Sequence, residues 1–199
     1  MKDTSEAFLT PDEEATLLSI ARDALEAWVR RSEQIDIETY ALTPALREKH
    51  GAFVTLRIAG QLRGCIGYMA HRVPLAEAVR DNAVNASQDP RFPRVAPEEL
   101  ESITVEVSAL TSGETPDTPF KPVNDIDEIV IGRDGLYIER TGSRGGILLP
   151  QVPVEQHWDV PQFLSAVCRK AGYADGAWED PDVQLSRFSA QVFSEEAEA

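Results

Sequence analysis

The sequence predicts an α+β fold built on a largely antiparallel sheet covered by helices. Three observations predict it. Candidate strands outnumber candidate helices, neighbouring strands are joined by short turns, and only residues 12–31, 74–87 and 161–171 carry apolar groups at helical spacing. At 199 residues the chain is long enough for a sizeable core. A composition of 42% hydrophobic and 27% charged residues is that of a globular protein.

The first helix has a strong start signal. Thr10 is placed as cap, Pro11 at the first helical position, and Glu13 completes a capping box. Leu17, Leu18, Ala21, Leu25, Trp28 and Val29 then mark one apolar face through about Arg31. Thr43-Pro44-Ala45-Leu46 suits a short helical turn. His50, just before the next strand, could face the Cys65 site, but a histidine there reads more readily as a solvated loop residue.

Phe53–Ile58 and Gln61–Tyr68 form a hairpin around Ala59-Gly60. Alternation along the second strand puts Arg63, Cys65 and Gly67 on one face and Leu62, Gly64 and Ile66 on the other. A cation beside a thiol lowers its pKa, and glycines open space around the sulfur, so Cys65 is a candidate nucleophile. A small buried cysteine filling the core is the competing reading.

Pro74 opens the second helix, whose apolar face is Leu75, Ala78, Val79, Ala83 and Ala86. The stiff loop Ser87–Arg94 carries Asp89 and Arg91, either as site residues or as a surface ion pair. After a turn at Pro97–Leu100, Ile103–Leu110 alternates as a strand, with Glu106 on its polar face as a candidate base. Residues 111–124 form a proline-containing surface loop. Ile126–Ile131 is a strand candidate, Arg133-Asp134-Gly135 a turn, and Leu136–Arg140 the returning strand.

Thr141–Gly146 is glycine-rich and includes Arg144; backbone amides there suit an anion, although neither a P-loop nor a dinucleotide fingerprint is present. Ile147–Leu149 is a short strand ended by Pro150. Residues 153–158 bridge to the third helix, where Cys168 lies on the apolar face and Gly172 caps the end. His157 is the best-placed candidate base for Cys65 if the fold brings them together. Val183–Phe193 reads as the last strand.

A balance of 19 basic against 34 acidic residues, net −15, argues against nucleic acid or an anionic membrane as partner. Cys65 and Cys168 lie far apart, which suits neither a disulfide framework nor a zinc site. The histidines do not cluster, so neither a metal nor another cofactor is expected. The acidic N-terminus carries no apolar run, and a soluble cytoplasmic protein with reduced thiols is expected.

Leu62-Arg63-Gly64-Cys65-Ile66-Gly67 resembles the signature of the AMMECR family, whose bacterial members are called AmmeMemoRadiSam system protein A. The similarity continues through Gly51–Leu56, Asp89-Pro90-Arg91-Phe92, Val105–Leu110, Ile131–Leu136, Gly146–Val152 and Cys168–Gly172. It implies one AMMECR-type domain over residues 10–193, with flexible tails at 1–9 and 194–199 and a smaller subdomain packed beside the main one. It also implies association with a Memo-like protein, resembling metal-dependent dioxygenases, and with a radical SAM protein.

Two functions follow. In the first, the chain is a binding module for a small anion or a protein, in which Arg63, Gly64, Gly67, Asp89, Arg91 and Arg144 build a site for a small carboxylate or phosphate. In the second, it is an enzyme with Cys65 as nucleophile, Arg63 or Arg91 as anion clamp, and His157 or Glu106 as base. If the arginines instead pair with acids such as Asp89 or Glu106, they stabilise the fold.

Overall fold

The structure, a computed structural model, describes residues 8–70, 72–111, 113, 115, 118–141 and 145–195. The chain divides into two compact units, residues 1–110 with 191–199 and residues 111–190. The expected α+β fold is the fold observed, with antiparallel strand pairing throughout the described ladders.

In the first unit, α1 (Pro11–Arg31) starts at the expected capping box: the Thr10 hydroxyl accepts from the Glu13 backbone, and the Glu13 carboxylate accepts from the Thr10 backbone. A short helix α2 (Pro44–Arg47) precedes the hairpin β1 (Ala52–Ile58) and β2 (Gln61–Tyr68). Ala59 and Gly60 both have positive φ, as a primed two-residue turn requires. α3 (Leu75–Ala86) packs on both hairpin strands and on α1. β3 (Ile103–Leu110) lies on the other side of β1, so the strand order is β2-β1-β3 and β2 is an edge. Leu17, Ile20, Leu25, Val54, Leu56, Leu75, Val79, Val105 and Val107 form the core, each fully buried.

The second unit holds β4 (Lys121–Pro122), β5 (Asp134–Arg140), β6 (Gly146–Leu148), α4 (Gln151–Glu155) and α5 (Val160–Ala171). The last strand, β7 (Val183–Ser194), begins in this unit and ends in the first. β5 pairs with β6 and with β7, and α5 packs on β5 and β6 over Leu136, Ile138, Phe163, Leu164 and Val167. Cys168 is fully buried in this core, as its helical face predicts.

Several expectations need correction. Ile126–Ile131 is not a strand: Asp125 accepts from the Asp127 backbone and nucleates a 3₁₀ turn at Ile126–Glu128. Residues 151–155 are helical, because Pro153 falls in the first turn, where no intrahelical N–H bond is needed. His50 is buried rather than solvated, with Nδ1 2.9 Å from the Leu110 carbonyl and its ring against Phe8. Of the presumed tails, residues 1–7 and 196–199 lie outside the described residues. Leu9, however, is buried, and Glu195 pairs with Arg22 while its carboxylate and amide hydrogen-bond the backbone of Val105.

Candidate functional site

The signature segment is shaped by a β-bulge. A two-residue turn at 59–60 starts the ladder with Ile58 opposite Gln61 and Arg57 opposite Leu62. Arg63 is then the extra residue, and the register resumes with Leu56 opposite Gly64 and Thr55 opposite Cys65. Without that bulge, Thr55 would face Gly64. The bulge therefore brings a hydroxyl to the thiol: Thr55 Oγ1 donates to Cys65 Sγ at 3.2 Å.

Thr55 also stands opposite Glu106 on its other side. Cys65, Thr55 and Glu106 thus form one row across three strands, on the face turned away from the Val54–Leu56 core side. Glu106 stands one strand beyond Thr55 in that row. Burial raises the thiol pKa most, and the negative charge of Glu106 adds to that rise. Glu106 lies 3.7 Å from Arg57.

Arg63 does not act on Cys65. Its guanidinium makes a paired contact with Glu99, at 2.7 and 2.9 Å, and donates to the carbonyls of Pro93 and Arg94. The Glu99 carboxyl is held below its ordinary pKa mainly by those arginine hydrogen bonds. The bulge sends Arg63 to a loop 36 residues away in sequence.

The cation that reaches Cys65 is Arg91. Asp89, with 1% of its side chain exposed, accepts from the Cys65 amide at 2.9 Å, and Arg91 Nη2 donates to the Cys65 carbonyl at 3.2 Å. Arg91 and Asp89 also bond each other, with Nη2 to Oδ2 at 2.6 Å. The loop therefore satisfies both backbone groups that edge strand β2 turns outward at Cys65. Hydrogen bonds from Arg91, helped by the Cys65 amide, lower the Asp89 pKa to about 2.

Cys65 itself is pushed the other way. Burial raises its thiol above the ordinary value, and this outweighs the opposing Thr55 hydrogen bond and Arg91 charge. The expectation of a thiolate activated by a neighbouring arginine is corrected accordingly. Nor do the glycines open space around the sulfur. A Cβ on Gly64 would run into the Ala86 carbonyl oxygen, and one on Gly67 into the Phe53 ring. Both positions are occupied by close packing.

His157 belongs to the second unit, where it follows α4 with φ of 55°. Cys65 belongs to the first. Arg144 and its neighbours Gly142 and Ser143 lie outside the described residues. The structure thus brings Cys65, Asp89 and Arg91 into direct contact, sets Glu106 one strand beyond Thr55, and places Arg63 in a separate pairing. Thr55 and Glu99 were not singled out by sequence. Thr55 was hidden by the bulge, and nothing local marks Glu99 as the partner of Arg63.

No helix among the described residues is long and apolar enough to cross a membrane. The sequence model of the AMMECR1 family matches residues 18–193. A protein of Thermococcus gammatolerans is 46% identical over 186 residues, covering 90% of this chain and 89% of its own. A protein of Methanothermobacter thermautotrophicus is 44% identical over 189 residues, covering 94% and 97% respectively. The crystal structure of uncharacterized protein PH0010 from Pyrococcus horikoshii is similar with a TM-score of 0.88 and 37% identity, over 96% of this chain and 95% of that one. With the signature hairpin, the Asp89–Arg91 loop and the α+β fold all present, the chain belongs to the AMMECR1 family.

Proposed function

We propose that this protein is a binding module acting with Memo-like and radical SAM proteins, and that the Cys65 region is a rigid recognition surface rather than a nucleophilic centre. The observation that supports this most directly is the state of Arg91. Its Nε and Nη2 hold Asp89 and the Cys65 carbonyl, while Nη1 makes no hydrogen bond among the described residues and about half of the side chain is exposed. A guanidinium fixed on one side and open on the other is preorganised for a carboxylate or phosphate, free or on a partner. Arg63, fully engaged by Glu99 and two carbonyls, is a support for the loop rather than part of that contact. A thiol raised by burial, with no base hydrogen-bonded to it among the described residues, is poorly suited to attack.

Isothermal titration against a purified Memo-like protein, with Cys65→Ser and Arg91→Lys variants, tests the reading. Cys65→Ser should bind within about twofold of the natural chain and Arg91→Lys at least tenfold more weakly, roughly the value of one charge-assisted hydrogen bond. Covalent turnover that disappears in Cys65→Ser would overturn it.

A further inference from the structure

The first unit contains a concavity of about 300 Å³ distinct from the Cys65 region, lined by Trp28, Gln34, Tyr68, Asp81, Val84 and Asn85. Trp28 comes from the last turn of α1 and Tyr68 from the end of β2. Asp81, Val84 and Asn85 are spaced i, i+3, i+4 and so share one face of α3. Its size falls at the lower end of the range for small-molecule sites.

The hydrogen bonds within the wall decide what it offers. Asn85 Nδ2 donates to the Tyr68 hydroxyl at 3.0 Å, which leaves the amide oxygen as an acceptor. Gln34 Nε2 donates to Asp81 Oδ1 at 3.2 Å, which leaves its oxygen too. Arg80 Nε donates to the same Oδ1 at 2.8 Å, so Asp81 Oδ2 has no donor among the described residues. Each of these amides thus uses one of its two N–H groups within the wall, while three oxygens remain to accept. Beside them are an indole and a phenol, whose faces attract cations. Among the described residues that line the space there is no lysine or arginine, although Arg80, outside the lining, pairs with Asp81 through Oδ1, and the chain's net charge of −15 raises the local concentration of cations.

We infer that this concavity binds an organic cation of the alkylammonium or alkylguanidinium class, either free or as a lysine or arginine side chain of a partner. The apolar stem packs on Val84 and the rings, and the head donates to Asp81 and the two amide oxygens. The inference is independent of the role given to Arg91.

The test is a titration of the ¹⁵N-labelled full chain, read at the Trp28 indole N–H and the Asn85 and Gln34 side-chain amides. The probes are ethylguanidinium and butylammonium, with neutral ethylurea as the near-isosteric control and sodium chloride for ionic strength. The cations should give saturable shifts at these groups, and ethylurea should bind at least tenfold more weakly. Asp81→Asn should weaken the cations at least tenfold. A blocked Gly-Arg-Gly peptide binding tenfold tighter than ethylguanidinium assigns the site to a partner's side chain; equal or weaker binding assigns it to a free cation. Equal shifts with ethylurea, unsaturable shifts, or undiminished binding by Asp81→Asn would overturn the inference. The ethylurea comparison needs no variant, so it decides even if Asp81→Asn loosens the fold.

Discussion

The Thr55 hydroxyl donates to the Cys65 sulfur at 3.2 Å, from the strand directly opposite. Because that bond favours the thiolate while burial opposes it more strongly, Thr55→Val should push the Cys65 pKa further up. Alkylation by iodoacetamide, followed as a function of pH with peptide mapping, checks this. Cys65 should react slowly at pH 7, with its inflection above the ordinary thiol value and higher still in Thr55→Val. Cys168, fully buried, should react only on unfolding. The stability that the protonated Cys65 contributes is complete below the unfolded thiol pKa and is lost as pH rises through the raised folded one.

Asp89 has the opposite sign. Its folded pKa of about 2 lies below the unfolded value near 4, so its contribution is present above pH 4 and is lost as pH falls toward 2. The shift corresponds to roughly 2 kcal/mol. Chemical denaturation between pH 7 and pH 2 should show this loss in the natural chain and a flatter profile in Asp89→Asn. That variant should be less stable at pH 7, since Arg91 loses its ion pair.

Arg63→Ala should cost about 1–2 kcal/mol at neutral pH, because it leaves the half-buried Glu99 and the exposed carbonyls of Pro93 and Arg94 without their donor. Thermal unfolding without any added ligand measures it. A stability equal to that of the natural chain would return Arg63 to the ligand-binding role.

His157→Gly should leave the Cys65 alkylation rate unchanged, since burial, the Thr55 hydrogen bond and the charges of Arg91, Glu106 and Asp89 set the thiol's state. The substitution removes the cost of a side chain at φ of 55°, so the melting temperature should stay level or rise slightly. A pH profile of alkylation that loses an inflection in the variant would show His157 acting on Cys65.

Legibility in the sequence followed the range of the forces involved. The helices and the hairpin were readable because period and caps are local: Thr10, Pro11 and Glu13 sit within one turn of each other. The false strand at Ile126–Ile131 arose because its isoleucines and valine carry β propensity, whereas Asp125, one residue earlier, decides the backbone. The pairing of Asp89 with Arg91 was foreseen as an alternative to a ligand site, since the two are neighbours in the chain. Arg63 pairing with Glu99 was not, and neither was Thr55 facing Cys65. Strict alternation and turn counting both assume an unbroken ladder, and the extra residue at Arg63 breaks it.

The contacts of Glu195 impose an order on synthesis. Arg22 and Val105 belong to the first unit, and Glu195, whose carboxylate engages both, is the last of the described residues to be synthesised. Residues 111–190 emerge complete before it. During translation the second unit can therefore finish its own core while the first still awaits a closing strand end. Hydrogen exchange on a released chain truncated after residue 190 should find β5 and β6 amides protected and the Val105 amide exchanging freely. The late closure also makes the first unit's completion a contact of very long sequence separation, the kind that slows folding.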